Sequence, residues 1–130
     1  MTAVGDRLPE LTIPITPTLI VAGAIASRDY QDVHHDRDLA HERGSPDIFM
    51  NILTTNGLVG RYVTDWAGPD ALLRRVSIRL GAPNYPGDTM VLSGQVAAVD
   101  ESAGTIVVEV KGSNRLGDHV TGTVELEPGK

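Results

Sequence analysis

Residues 45–63 read SPDIFMNILTTNGLVGRYV. Ser45 is a good N-cap, Pro46 has the fixed φ of a first helical turn, and the Asp47 carboxylate complements the positive end of a helix dipole. Apolar or small residues recur at Ile48, Ile52, Thr55, Val59 and Val63, and Phe49, Leu53 and Leu58 widen the stripe. The spacing predicts a helix of about five turns opening at Ser45, with an apolar face so broad that other structure must enclose most of it. The second half of the chain offers that structure. Residues 72–80, 88–99, 104–112 and 119–127 are rich in Val, Ile, Leu and Thr, and Val107–Val110 and Val120–Leu126 alternate with period two. Pro86-Gly87 suits the centre of a type II turn, and Asp100–Gly104 and Asn114–Asp118 suit hairpin connections. Leu8 to Ile15 reads as a further strand. The pattern implies an α+β fold in which one antiparallel sheet wraps one long helix, burying both apolar surfaces.

Upstream, Thr16-Pro17 reads as an N-cap and first helical residue for a short apolar helix over residues 18–27, although Leu19-Ile20-Val21 is β-prone. Residues 37–43 suit a short helix stopped at Gly44. Between them lies Ala26–Asp36, which packs three Asp and two adjacent His into eight residues, 29 to 36. Three readings fit such a loop. It can be a solvated polar connection. It can be a metal site, although adjacent His residues on an extended segment point opposite ways and no second His-rich segment completes a ligand set. It can be an acid–base site, because an Asp and a His on one loop can hold a water between them. No Gly-x-Ser-x-Gly elbow and no Cys–His arrangement offers a nucleophile.

The 130 residues, 41% of them hydrophobic, suit one domain spanning 1–130, with no repeat and no linker. No apolar run approaches the roughly 20 residues of a membrane span, and the first residues carry no basic-then-apolar pattern, so neither a membrane segment nor a secretory signal is expected. The absence of cysteine excludes disulfides, a thiolate nucleophile and Cys-ligated metal, and fits a cytoplasmic location. A net charge of −6 disfavours nucleic acid and anionic membrane as partners. An anionic ligand would need a local basic patch. Arg74-Arg75, Arg79 and Lys111 with Arg115 are the candidates, unless they are solvated strand and loop ends.

The polar loop and the segments downstream of it resemble the MaoC-like (R)-specific enoyl-CoA hydratases. That family carries a catalytic Asp followed by x-Asn-Pro-x-His, then five residues and a small one. Here Asp29 is followed at the same interval by His34, and Ala40 stands at the small position. Gln31 and Asp32 replace the Asn and Pro. Ala24-Ile25-Ala26-Ser27 is loosely similar to the family's preceding Ala-x-Ser-Gly. Gly44–Asn51 stands where the family has Pro-Ile-Ala-His-Gly, Leu80–Asp88 resembles its Phe-x-x-Pro-x-x-x-Gly-Asp, and Asn114–Gly122 resembles its Asn-x-x-Gly hairpin. The ordered set covers most of the chain.

The resemblance implies a hot-dog fold and hydration of a trans-2-enoyl thioester, with Asp29 and His34 as the catalytic pair. It also implies an oxyanion-binding backbone N–H at Asn51, no metal, and no cofactor beyond the coenzyme A carried by the substrate. Asp29–Asp38, Asp47–Leu53 and Arg61–Pro69 are more closely similar to the small subunits of heteromeric steroid side-chain hydratases of cholesterol-degrading actinobacteria. That likeness implies a steroid enoyl-CoA substrate and a second MaoC-like subunit in a heterotetramer, with this chain as the catalytic half. Two other functions stay in view. A hot-dog thioesterase usually places a carboxylate on the central helix, and no Asp or Glu lies between Ile48 and Thr64. A non-catalytic acyl-CoA-binding subunit would not need the Asp29/His34 pair. Trp66 reads as a cap on the helix's apolar end and His35 as an exposed or hydrogen-bonded loop residue. His41 and His119 read as structural or exposed, and Asn56 as facing either substrate or a strand.

Overall fold

The computed structural model describes residues 2–129. The elements run β1 (Arg7–Pro14), α1 (Pro17–Ala26), a 3-10 turn (Asp32–His34), α2 (Arg37–Glu42), α3 (Ile52–Ala67), β2 (Leu72–Leu80), β3 (Thr89–Asp100), β4 (Thr105–Asn114) and β5 (Gly117–Glu127). The strands form one antiparallel sheet in the order β1-β3-β4-β5-β2. Alternation sorts its two faces. Met90, Leu92, Val96, Val108, Val110, Val120, Val124 and Leu126 point inward and are buried against Val59, Tyr62 and Val63 of α3. Each such side chain contributes about 1.5–3 kcal/mol of burial free energy. The Tyr62 hydroxyl donates to Pro9 O at 2.7 Å, tying α3 to β1. Trp66 is half-buried against the core, as its place at the helix's apolar end suggests. No helix among the described residues is long and apolar enough to cross a membrane.

The strands lie within two residues of their expected bounds, and α1 forms with Thr16 Oγ1 accepting from Leu19 N–H at 3.0 Å. Burial of Ile20 and contact of Leu19 and Val21 with the core override the local β preference. The central helix is a correction. It opens at Ile52, capped by Asn51, and not at Ser45. The Phe49 N–H donates to Val33 O and the Met50 N–H to Asn84 O, each at 3.1 Å, so the peptides of this segment bond to neighbouring loops and cannot join a helix. Ser45–Met50 therefore runs without helix, with Ile48 and Met50 buried two residues apart. The helix is also less enclosed than its apolar stripe implies, since Ile52 and Leu53 are half-exposed.

Helices α1 and α3 meet at Gly23. A β-carbon there would overlap the Thr54 side chain, so glycine is required by the closeness of the crossing. Gly23→Ala should destabilise the chain by about 1–2 kcal/mol, overpacking outweighing the better helix propensity of Ala. Urea denaturation should show a lower midpoint at unchanged slope, and a midpoint at or above the native value would refute this.

Candidate active site

Helix α1 ends in a Schellman motif, with Arg28 N–H donating to Ile25 O at 3.0 Å and Asp29 N–H to Ala24 O at 2.9 Å. The motif needs a left-handed residue after the cap. Arg28 takes that conformation at φ 57°, where glycine is the usual occupant. The turn it makes launches Asp29 off the helix in a fixed direction. Arg28→Gly should keep that geometry and raise stability by up to about 1 kcal/mol, because the left-handed strain outweighs glycine's added unfolded-state entropy. A fall in the denaturation midpoint would contradict this.

The 3-10 turn then carries His34 inward until it is buried. Its Nδ1 lies 2.7 Å from Phe49 O, and its ring stands edge-on to the Phe49 ring at 5.0 Å. A carbonyl only accepts, so Nδ1 carries a hydrogen, and in the neutral ring Nε2 is the basic nitrogen. Nε2 lies 3.4 Å from Asp29 Oδ2. Asp29 is held in turn. Its Oδ2 accepts from Asn51 Nδ2 at 3.1 Å, and its Oδ1 from Gln31 N–H at 3.4 Å. The Asn51 Nδ2 also donates to Ser27 Oγ at 2.9 Å, while its Oδ1 accepts from Thr54 N–H at 3.1 Å and from the Thr54 hydroxyl. Because Thr54 N–H can only donate, the orientation of this amide is fixed. One side chain therefore caps α3 and clamps Asp29.

A neutral Nε2 and a carboxylate oxygen are both acceptors. A water at the apex above them can donate one hydrogen to each, which orients its oxygen outward. The pair opens on a cleft of about 370 Å³, lined by Asp29, His34 and Asn51 and by Ala82, Pro83 and His119. The backbone N–H of Asn51, at the dipole-positive end of α3, has no acceptor among the described residues.

The rest of the polar loop is accounted for structurally. Asp32 forms a two-point ion pair with Arg43 at 2.7 and 2.9 Å, and that hydrogen-bonded guanidinium holds its carboxyl below the ordinary value. Asp36 caps α2 by accepting from Leu39 N–H at 3.1 Å. His35 is exposed, while Ala40 is fully buried at the position that demands a small residue. His41 Nε2 lies 2.6 Å from Pro46 O, a structural tie. Among the described residues no three potential metal ligands converge. Asn56 is exposed and away from the cleft.

One site feature lies outside the sequence reading: Asn51 engages Asp29 through its side chain. Of the two readings of His119, structural or exposed, its burial at the cleft fits the first. Of the two readings of the basic candidates, the solvated strand and loop ends fit the structure around this cleft. None of Arg74, Arg75, Arg79, Lys111 and Arg115 lines the cleft. Lys111 alternates with buried Val110 and Gly112 and so faces outward, Arg74 pairs with Glu127 at 2.7 Å, and Arg115 stands 3.6 Å from Asp88.

The sequence matches the family described as MaoC like domain over residues 2–116. The chain belongs to the MaoC-like family. Over 126 residues this MaoC-like chain is 60% identical to the 3-oxo-4,17-pregnadiene-20-carboxyl-CoA hydratase beta subunit of Mycobacterium tuberculosis, covering 97% of this chain and 96% of that one. It is similar to a chain in the crystal structure of the ChsH1-ChsH2 complex from Mycobacterium tuberculosis, with a TM-score of 0.95, 59% identity, and coverage of 98% and 99%. The (R)-hydratase from A. caviae involved in PHA biosynthesis superposes with a TM-score of 0.89 over 98% of this chain and 97% of that one, at 18% identity, a likeness of fold. The sheet wrapped on one helix is thus the expected hot-dog fold of a MaoC-like hydratase.

Proposed function

We propose that this chain is the catalytic subunit of a two-subunit steroid enoyl-CoA hydratase. The observation that carries the reading is Asp29 Oδ2 set 3.4 Å from His34 Nε2 in a cleft beside the N-terminus of α3. His34 Nε2 takes a proton from the water that the pair holds, and the water oxygen bonds to Cβ. The alkene electrons move onto the thioester oxygen, where the Asn51 N–H and the helix dipole stabilise the negative charge. Collapse of the enolate with a proton returned to Cα from the Asp29/His34 pair completes the addition. Hydration changes no oxidation state overall, and the reading calls for no cofactor besides the coenzyme A of the substrate.

The substrate class rests on the 60% identity to a steroid carboxyl-CoA hydratase beta subunit. A second subunit as partner rests on the ChsH1-ChsH2 complex, one chain of which is so similar to this one, and its MaoC-like character rests on the sequence resemblance. Exposed Ile25, Ile52, Leu53 and Leu72 agree with an apolar surface that another chain covers. A cytoplasmic location accords with a cysteine-free chain acting on a coenzyme A ester.

The test is to combine the chain with its paired MaoC-like subunit and 3-oxo-4,17-pregnadiene-20-carboxyl-CoA. The expected product is the hydroxyacyl-CoA, detected by loss of the conjugated-thioester absorbance and by mass. Release of free coenzyme A without hydration would turn the reading to a thioesterase. Binding with no product would leave only a binding subunit.

A further inference from the structure

A second buried polar network reaches the same cleft. His119, on β5, is 2% exposed. Its Nδ1 lies 2.7 Å from Ala82 O and its Nε2 lies 2.8 Å from Thr55 Oγ1. The carbonyl only accepts, so Nδ1 carries the hydrogen, and the neutral ring accepts the Thr55 hydroxyl at Nε2. Burial pushes this imidazole's pKa down, which favours that neutral form. Both nitrogens are committed, so His119 has no free site for proton exchange with a substrate.

The groups it joins belong to different walls. Ala82 lies in the β2–β3 connection, which is zipped to β5 by Gly81 N–H to His119 O and Ala82 N–H to Asp118 O, both at 2.8 Å. Thr55 lies in the first turn of α3. Its N–H donates to Asn51 O at 3.3 Å, and its hydroxyl stands 3.4 Å from the same carbonyl. A second tie, Met50 N–H to Asn84 O at 3.1 Å, runs from the residue before Asn51 to the same connection. A buried His–Thr pair is a demanding choice for mere space filling, since each polar atom needs a partner. What a fixed ring adds is a defined spacing between the walls.

We infer that His119 is a positioning residue for the hydration reaction: through Thr55 it sets the first turn of α3, and with it the Asn51 N–H, against the Ala82 wall of the cleft. The inference rests on the hydratase reading. The enolate oxygen forms only along the reaction path, so a misplaced donor should lower kcat and leave KM nearly unchanged.

In the complex with the partner subunit, Thr55→Val, which keeps the shape and removes the hydroxyl, should lower kcat about tenfold with KM within about twofold, a fraction of the 10²–10³ loss of a whole oxyanion donor. Thr55→Ser, which restores the hydroxyl, should bring kcat back to within about threefold of the native value. His119→Gln, an amide without the ring's fixed spacing, should repeat the kcat-selective loss. A native kcat in Thr55→Val, a rise confined to KM, or equal losses in Thr55→Val and Thr55→Ser that track melting temperature would each overturn the inference. If Thr55→Val does not fold, a native kcat in His119→Gln overturns it alone. An inactive native complex would instead overturn the hydratase reading.

Discussion

His34→Ala in the two-subunit complex should lower kcat by about 10²–10⁴-fold, Asp29→Ala should do the same, and His35→Ala should stay within about threefold of the native rate. The expectation comes from where the side chains sit. His34 turns Nε2 toward Asp29 and the cleft because its Nδ1–H is held by Phe49 O, so in the neutral ring Nε2 is the basic nitrogen. Asp29 is aimed by the Schellman turn behind it and by the Asn51 amide in front. His35, one residue on, is exposed and does not line the cleft. Asp29→Asn is the sharper control. Its side-chain oxygen can still accept from Asn51, so the fold is kept while the charge is lost. Because the two groups act on one water, the Asp29→Ala/His34→Ala double variant should be little worse than the poorer single one. Initial rates of steroid enoyl-CoA hydration decide the matter. Near-native turnover by either alanine variant would remove the pair from the mechanism.

The sequence made some of this legible and hid the rest for identifiable reasons. Strand bounds were readable because period-two alternation is local, and the same rule, applied to Lys111 between two inward residues, would have placed it on the outer face. Asp29 and His34 were readable from their interval. The start of α3 was not, because both Ser45 and Asn51 are suitable N-caps. The choice is made by Val33 O and Asn84 O, distant acceptors that take the intervening N–H groups. The Asn51 clamp and the Thr55–His119 link join residues 22 and 64 positions apart, and no local pattern encodes such pairings.

Asn51→Asp separates the three tasks of that residue. An aspartate still accepts from Thr54 N–H, and its charge at a helix N-terminus is favourable by about 0.3–1 kcal/mol, so α3 stays capped. The backbone N–H is unchanged. What changes is the group facing Asp29. A donor at 3.1 Å becomes a second carboxylate oxygen, and two carboxylates so close cannot both ionise at little cost. They hold a shared proton to higher pH than a lone carboxylate would. The proposed mechanism uses the ionised form, so kcat at neutral pH should fall about 10- to 100-fold, and the acidic limb of the pH–rate profile should move to higher pH. Asn51→Ala, which removes the clamp without adding charge, should lower kcat without that shift and destabilise the chain by about 1 kcal/mol through the lost cap. An Asn51→Asp complex with a native profile would show that the amide merely caps the helix. A moved acidic limb cannot come from the cap or from the backbone donor, since both survive the substitution, and so reports on the charge of the Asp29/His34 pair beside that side chain.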